Sequence, residues 1–153
     1  MTDLFALHEL DGIEARIDAW MERQRTENPA VAAVDRGEPG QRRWYVRLYG
    51  EDKDFTTIWF TLDQRTLRYE TYVLPEPEEN RAEVYEQALK RNHKLVGAQF
   101  SIGDEHAIFL VGALPLGGFS EAELDRIVGT VYAYVEQSFR SLLHLAFASK
   151  FTR

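Results

Sequence analysis

The stretch WYVRLYGEDKDFTTIWFTLDQRTLRYETYVL, residues 44–74, predicts the centre of a sheet, because apolar and polar side chains alternate in three separate runs along it. The alternating runs cover residues 44–49, 56–62 and 66–74, and short polar stretches typical of turns separate them. Three consecutive strands with short connections predict an antiparallel meander. We expect its core-facing side to carry the residues Trp44, Val46, Leu48, Ile58, Phe60, Leu67, Tyr69 and Val73.

Segments with apolar residues at helical spacing come before and after the meander in the sequence. Residues 13–25 predict an amphipathic first helix, after which Pro29 and the polar residues 35–40 break the chain. Residues 79–92 predict a second helix. Its first turn is acidic and its last turn is basic, which is the polarity that the helix dipole favours.

The rest of the chain predicts two strands and a long last helix. The strands cover residues 95–102 and 106–114 and are joined by a tight turn that begins at Gly103. Ser120-Glu121-Ala122-Glu123 is a capping box that opens a helix running to about residue 147. The predicted order is α-β-β-β-α-β-β-α. It indicates one α+β domain over residues 1–153, a twisted antiparallel sheet with helices packed mainly on one face.

Composition limits the function. The chain has no cysteine, which excludes disulfides, thiolate zinc sites and cysteine nucleophiles. The net charge of -7 disfavours nucleic acid as a partner, since a polyanion would be repelled at long range. The acidic N-terminal sequence lacks the basic start of a signal peptide, and no apolar run reaches the roughly 18 to 20 residues that span a bilayer. We expect a cytoplasmic protein that binds neither nucleic acid nor membranes.

The histidines and acidic pairs match no catalytic motif. His93 and His106 are separated by a whole predicted strand, and Asp104 and Glu105 belong to the predicted turn between strands. The sequence contains no H-E-x-x-H pair, no glycine-rich phosphate loop and no G-x-S-x-G nucleophile elbow. An imidazole at a helix C-terminus also has a structural reason to be there. We therefore predict no catalytic residue, no cofactor and no metal site.

The second face of the meander is unusual for a surface, because aromatic residues and charges interleave on it. Tyrosine, tryptophan and arginine dominate the hot spots of protein interfaces. The alternative is that these are ordinary cross-strand pairs on a half-exposed sheet. The predicted binding face for a protein or an extended peptide consists of Tyr45, Arg47, Tyr49, Trp59, Arg68 and Tyr72, with Glu70 among them.

The last helix is long for the predicted sheet. It would extend roughly 40 Å, whereas five strands are only about 20 to 25 Å across. Its final third is apolar on more than one side, so that it either needs a partner or packs on the first helix. From this overhang we predict a homodimer, with candidate contacts at Phe139, Leu143, Leu145 and Phe147.

The stretch VYEQALKRNHKLVGAQFSIGDEHAIFLVGALPLGGFSEAELDRIVGTVYAYVEQSF, residues 84–139, resembles the YbjN-like family of sensory transduction regulators. The shared features are a helix ending in R-N-H, a G-A-x-F-S-I strand, and a strand that runs into Leu114-Pro115 and the last helix. The resemblance is strongest over residues 75–147. That family is similar in fold to the type III secretion chaperones, which have the same order of elements and are small, acidic, often dimeric binders of extended peptide.

The resemblance implies a non-enzymatic protein- or peptide-binding module, chaperone-like or regulatory. It transfers no catalytic or ligand residue, and Gly97 and Phe100 read as turn and packing positions. The alternative is a small-ligand sensor or an enzyme with a pocket between the long last helix and the sheet. A deep pocket with converging polar groups would favour that alternative, whereas a shallow groove or an exposed strand edge would favour peptide binding. Within the core we expect Phe100, Ile108 and Leu110 to be buried beneath the last helix.

Overall fold

The structure, a computed structural model, describes residues 5–151. Residues 1–4, with which the acidic N-terminal sequence begins, and residues 152–153 lie outside the described part of the chain. The helices are α1 (Leu7–Glu27), α2 (Arg81–Asn92) and α3 (Glu121–Ala146), and the strands are β1 (Val31–Arg36), β2 (Arg43–Tyr49), β3 (Phe55–Leu62), β4 (Thr66–Leu74), β5 (Gln99–Ile102) and β6 (Ile108–Pro115).

All strand pairs are antiparallel, and the sheet order is β1-β2-β3-β4-β6-β5. The predicted meander is the centre of this sheet, with Trp44 opposite Phe60 and Phe60 opposite Tyr69. Alternate residues of the central strands are buried, and they are the residues expected to face the core. The predicted α+β class is confirmed.

The sheet has six strands where the sequence predicted five. The additional strand, β1, has the sequence VAAVDR and pairs only with β2 at the edge of the sheet. Two alanines in its centre give almost no alternating signal, and an irregularity between Val31 and Ala33 shifts its register. Strand β1 therefore depends on pairing with β2 rather than on its own pattern.

Helices cover one face of the sheet and close a single apolar core that includes residues from all three of them. Trp20 of α1 meets Phe60 edge to face, with ring centroids 6.2 Å apart. Phe100, Ile108 and Leu110 are buried, as predicted. Phe100 lies beside Tyr85 and Ala88 of α2, however, so its cover is the second helix and not the last one.

Polar contacts fix the covering helices to the sheet and to each other. The Trp44 indole N–H donates to Asp18 of α1 at 2.7 Å, and the Trp20 indole N–H donates to Asp125 of α3 at 2.9 Å. Arg16 of α1 pairs with Glu121 at the start of α3, at 2.5 Å. These bonds connect α1 both to the sheet and to α3.

The start of α3 shows half of the predicted capping box. The Ser120 hydroxyl accepts the Glu123 N–H at 3.1 Å, as the motif requires. The Glu123 carboxylate accepts instead from Arg126, one turn further along the helix.

The end of α3 packs against α2 and the segment before it rather than against α1. Arg91 donates to the Ser141 hydroxyl at 2.7 Å, and the N–H groups of Glu78 and Glu79 donate to the Ala146 carbonyl. Phe147 is buried within the chain, and Phe139, Leu143 and Leu145 are partly buried against its core. The predicted overhang is thus smaller than the sequence indicated, and the homodimer remains a prediction.

Candidate functional site

The six residues of the binding face lie on the side of the sheet that the helices leave uncovered. They come from three neighbouring strands, and the register brings Tyr45 opposite Trp59 and Trp59 opposite Glu70. Tyr49 and Tyr72 are exposed, and Trp59 is half-buried. Side chains alternate between the two sides of a strand. Because the residues between those of this face are buried in the core, the residues of this face point away from the core.

An aromatic cluster formed by Trp59, Tyr72 and Phe109 occupies the centre of this face. Phe109 meets Trp59 at 6.0 Å and Tyr72 at 5.6 Å between ring centroids, both edge to face. The Trp59 indole N–H donates to the Glu70 carboxylate, which holds the ring in place. Edge-to-face pairs of this kind add to the stability that area burial alone provides. The cluster is an ordered apolar surface with polar groups at its margin.

Phe109 was not among the predicted site residues. It lies on β6 directly opposite Tyr72. Its position in the alternation could have identified it, because Ile108 and Leu110 on either side are core residues. The sequence could not indicate that β6 pairs with β4 and so brings the ring to the meander.

A second aromatic pair lies where β2 meets β3. Tyr49 and Phe55 are opposite each other with ring centroids 5.7 Å apart. The Arg47 guanidinium lies 3.9 Å from the centroid of the Phe55 ring, a cation–π geometry. Lys53, in the adjacent turn, is half-buried and donates to the Phe55 carbonyl at 3.2 Å. Burial, with a contribution from Arg47, lowers the pKa of Lys53.

Two charged groups lie near Tyr72 of the binding face. Burial raises the pKa of its hydroxyl, and the negative charge of Glu105 raises it further. The Lys53 ammonium lies 6.0 Å from the ring centroid of Tyr72.

The strand edges are less open than the face. At the β5 edge, the Asn92 side chain accepts the Phe100 N–H at 2.7 Å and donates to the Phe100 carbonyl at 3.1 Å. Both backbone groups that an added strand would use at this position are already bonded. The opposite edge strand, β1, carries the register irregularity described above. Addition of a peptide to either edge thus meets an obstacle that the face does not present.

A shallow apolar groove of about 230 Å³ runs between α2 and β5. Leu89 and Ile102 at its sides are 67% and 51% exposed, and Tyr85 and Ile108 also line it. A shallow groove of this kind suits contact with a peptide. It borders the β5 edge, however, where the Asn92 side chain is already bonded to the Phe100 backbone.

A more polar groove of about 440 Å³ lies between α1 and α3, over the β2 residue Leu48. Gln24, Asp125 and Tyr132 contribute polar groups to its lining, and Val128 contributes apolar surface. Asp125 also accepts the Trp20 indole N–H. This groove is the place where a pocket between the long helix and the sheet would bind a small ligand.

The residues of the histidine segment have separate local positions. His93 caps the C-terminal end of α2, and His106 ends a short 3₁₀ turn in which both Glu105 and His106 have φ near 58°. Over residues 5–151, no group of three or more histidine, aspartate or glutamate side chains is arranged to hold a metal ion. None of the helices in that range combines the length and the apolar content needed to cross a bilayer.

The chain matches a protein family model and is similar in sequence to mycobacterial proteins. The family model "YbjN: Putative bacterial sensory transduction regulator" matches residues 15–144. The mycobacterial proteins Rv0487 of Mycobacterium tuberculosis and ML2442 of Mycobacterium leprae, both named as uncharacterized, are each 34% identical over 71% and 72% of this chain. The chain spans 59% and 60% of their respective lengths.

Two solved structures share the fold at low sequence identity. A chain of the HopA1–SchA chaperone–effector complex superposes with a TM-score of 0.55 at 10% identity, covering 84% of this chain and 95% of that one. A chain of the heterodimeric ExoU–SpcU complex from the type III secretion system of Pseudomonas aeruginosa gives a TM-score of 0.52 at 14% identity, covering 79% and 93%. With a model match that spans most of its length, the chain belongs to the YbjN family and has the fold found in type III secretion chaperone–effector complexes.

Proposed function

We propose that this protein is a non-enzymatic binding module, chaperone-like or regulatory, that holds an extended segment of a partner protein on its binding face. The observation that carries the proposal is the convergence of six predicted residues and Phe109 on one uncovered side of the sheet. The family and the fold agree with such a role, since both structural neighbours are described as chaperone–effector or heterodimeric complexes.

The geometry of the face supports binding over a purely structural role. Ordinary cross-strand pairing would explain why Tyr45 lies opposite Trp59. It does not require three rings to form an ordered cluster that remains open to solvent, with Tyr72 39% exposed. Rings already held by neighbours lose little conformational entropy on binding, which is why such anchors dominate interface energies.

The test compares peptide affinities between two variants. Twelve-residue peptides are selected from a display library on the wild-type protein, and their affinities are measured by fluorescence anisotropy. Trp59→Ala should weaken the selected peptides by about 2 kcal/mol or more, as expected for a hot spot. Val96→Ala is the matched control, because Val96 is an exposed apolar residue away from the binding face.

The opposite pattern would remove the proposal. If the selected peptides bind Trp59→Ala as tightly as wild type, the binding face is not the site. If Leu89→Ala, in the groove between α2 and β5, weakens them instead, the site lies in that groove.

We propose separately that two copies of the protein associate through the last turns of α3. Phe139, Leu143 and Leu145 keep part of their surface exposed and could meet the same residues of a second copy around a twofold axis. Light scattering at high micromolar concentration should then report a dimer, and Leu143→Asp should convert it to a monomer. A monomeric wild-type protein at that concentration would contradict this.

The groove between α1 and α3 supports a second candidate function, sensing of a small polar ligand. Gln24, Asp125 and Tyr132 converge there above apolar residues, as ligand sites often require. A thermal-shift screen of a metabolite library should find a stabilising compound if this function holds. Gly129→Phe should abolish the shift, because Gly129 lines the groove and has open space beside its backbone. A screen without any stabilising compound would contradict this second function.

A further inference from the structure

We infer that the segment held by the binding face has an acidic-x-apolar-x-acidic pattern in extended conformation. This inference rests on the proposed function and specifies the chemistry of the partner. The acidic side chains would meet Arg43 and Arg47, and the apolar side chain between them would lie on Tyr45 and Trp59. Arg43 was absent from the predicted site.

The spacing follows from strand β2. Arg43, Tyr45 and Arg47 are alternate residues of this strand, so all three side chains lie on the uncovered face. The two arginines are four residues apart, which is about 13 Å along a strand. Tyr45 lies between them and is opposite Trp59 on β3. Along β2, the face therefore presents the guanidinium of Arg43, the ring of Tyr45 and the guanidinium of Arg47 in that order.

A third arginine strengthens one end of this arrangement. Thr61 is opposite Arg43 on one side and opposite Arg68 on the other, so the three residues form a row across β2, β3 and β4. The Arg43 Nε donates to the Thr61 hydroxyl at 3.2 Å, and among residues 5–151 the terminal nitrogens of Arg43 have no hydrogen-bond or ion-pair partner. Ala113 continues the row on β6 and leaves space above the sheet.

The three arginines of the face differ from those that hold the fold together. Arg36 and Arg42 are each bonded to two carboxylates of α1, at distances between 2.5 and 2.8 Å. Within residues 5–151, neither Arg43 nor Arg47 nor Arg68 has an ion pair. Arg47 is stacked on Phe55, which holds its guanidinium flat and leaves its N–H edge free to donate.

Two carboxylates lie on the strands of this face, and each accepts a hydrogen bond from an uncharged N–H group. Glu70 accepts from the Trp59 indole, and Asp35 accepts the Arg36 backbone N–H at 2.8 Å. The strands of this face thus carry three guanidinium groups and two carboxylates, while Lys53 and Glu105 in neighbouring turns add one charge of each sign. This surface belongs to a chain whose net charge is -7. A locally positive surface on an acidic protein selects a local acidic segment rather than a polyanion.

The conformation of the partner follows from the same spacing. In an extended segment, residues i, i+2 and i+4 lie on one side, and the acids at i and i+4 are again about 13 Å apart. On a helix, residues i and i+4 are only about 6 Å apart and could not reach both arginines in this way. The pattern therefore fits a strand laid over β2 and not a helix.

The experiment uses three fluorescein-labelled peptides of equal length. The first has the core Glu-Ser-Leu-Ser-Glu, the second has the same residues in the order Glu-Glu-Leu-Ser-Ser, and the third replaces both glutamates by lysine. We expect the first peptide to bind the wild-type protein about 10-fold more tightly than the second. The third should show no binding.

Variants of the protein assign the contacts. Arg43→Gln and Arg47→Gln should each weaken the first peptide about 10-fold, with less effect on the second. Arg23→Gln is the control, since Arg23 is an exposed arginine on α1 whose removal changes the net charge equally. Equal affinity for the first two peptides, or unchanged affinity in both arginine variants, would overturn the inference.

The outcome separates this inference from the proposed function. If Trp59→Ala loses the library-selected peptides while the arginine variants keep them, the face binds peptide but does not read this charge pattern. If Trp59→Ala also keeps them, the proposed function itself is wrong.

Discussion

The two faces of the central sheet are built from neighbouring residues of the same strands, and both are aromatic. Phe60 on the covered face is fully buried against Trp20 and Tyr69. Trp59, next in the chain, is half-buried on the uncovered face, and its indole N–H is bonded to Glu70. Aromatic rings with a hydrogen-bonded indole N–H occur on both faces, since the buried Trp20 and Trp44 are bonded to Asp125 and Asp18 in the same way. The two faces differ in their cover, because the helices close over Phe60 and leave Trp59 partly in contact with solvent.

The largest expected effect compares these neighbours directly. Phe60→Ala should lower the free energy of unfolding by about 3 to 5 kcal/mol, because it leaves a cavity in a closed core. Trp59→Ala should lower it by only about 1 kcal/mol, mainly through loss of the edge-to-face contact with Phe109. Urea denaturation of both variants measures the two values.

An equal decrease in the free energy of unfolding in the two variants would contradict this difference between the faces. It would show that the uncovered face stabilises the fold as much as the covered one. In that case, the rings of the binding face would have a structural role that is sufficient to explain them.

Much of this comparison could be predicted from the sequence, because strict alternation determines both faces at once. Trp44, Val46 and Ile58 are buried where the pattern places them, and the intervening residues are not. Patterns of period two carry this information locally, without knowledge of the partner strands.

The parts that the sequence did not predict depend on contacts between distant segments. Strand β1 needs β2 to form, and Phe109 reaches the binding face only because β6 pairs with β4. Arg43 became part of the site once the register placed Thr61 between it and Arg68. The end of α3 is covered by the chain before α2, a contact that periodicity cannot indicate.

A smaller effect is expected at the sheet edge, where Asn92 bonds both backbone groups of Phe100. Asn92→Ala should lower the free energy of unfolding by about 1 to 2 kcal/mol, since it leaves a backbone donor and acceptor without their partner. It should leave the affinity of face-binding peptides unchanged. Tighter peptide binding to Asn92→Ala would instead show that the edge, once opened, is the site of strand addition.

The smallest effect is expected for the ion pair between Arg16 of α1 and Glu121 of α3. A hydrogen bond from Arg16 lowers the pKa of Glu121 from 4.5 to about 2. A carboxylate with a lowered folded-state pKa stabilises the fold above its unfolded pKa and loses that contribution as the pH falls. The stability difference between wild type and Glu121→Gln should therefore be constant above about pH 5 and shrink as the pH falls toward 2.

Denaturation curves of both proteins at pH 7, 5 and 3.5 measure this difference. The effect is small because both side chains are partly exposed and solvent screens the pair. A difference that does not change with pH would mean that the Arg16–Glu121 pair does not hold α1 to α3.

A two-dimensional NMR spectrum of the tryptophan indole N–H groups, recorded during titration with a selected peptide, directly locates the peptide on the protein. The three tryptophans report on three places, because Trp59 bonds Glu70 on the binding face, Trp20 bonds Asp125 beside the groove between α1 and α3, and Trp44 bonds Asp18 on the covered face. If the peptide lies on the binding face, the Trp59 resonance should shift with peptide while the Trp20 and Trp44 resonances stay in place. A shift of Trp20 with Trp59 unmoved would contradict binding on this face and place the binding site between the two helices.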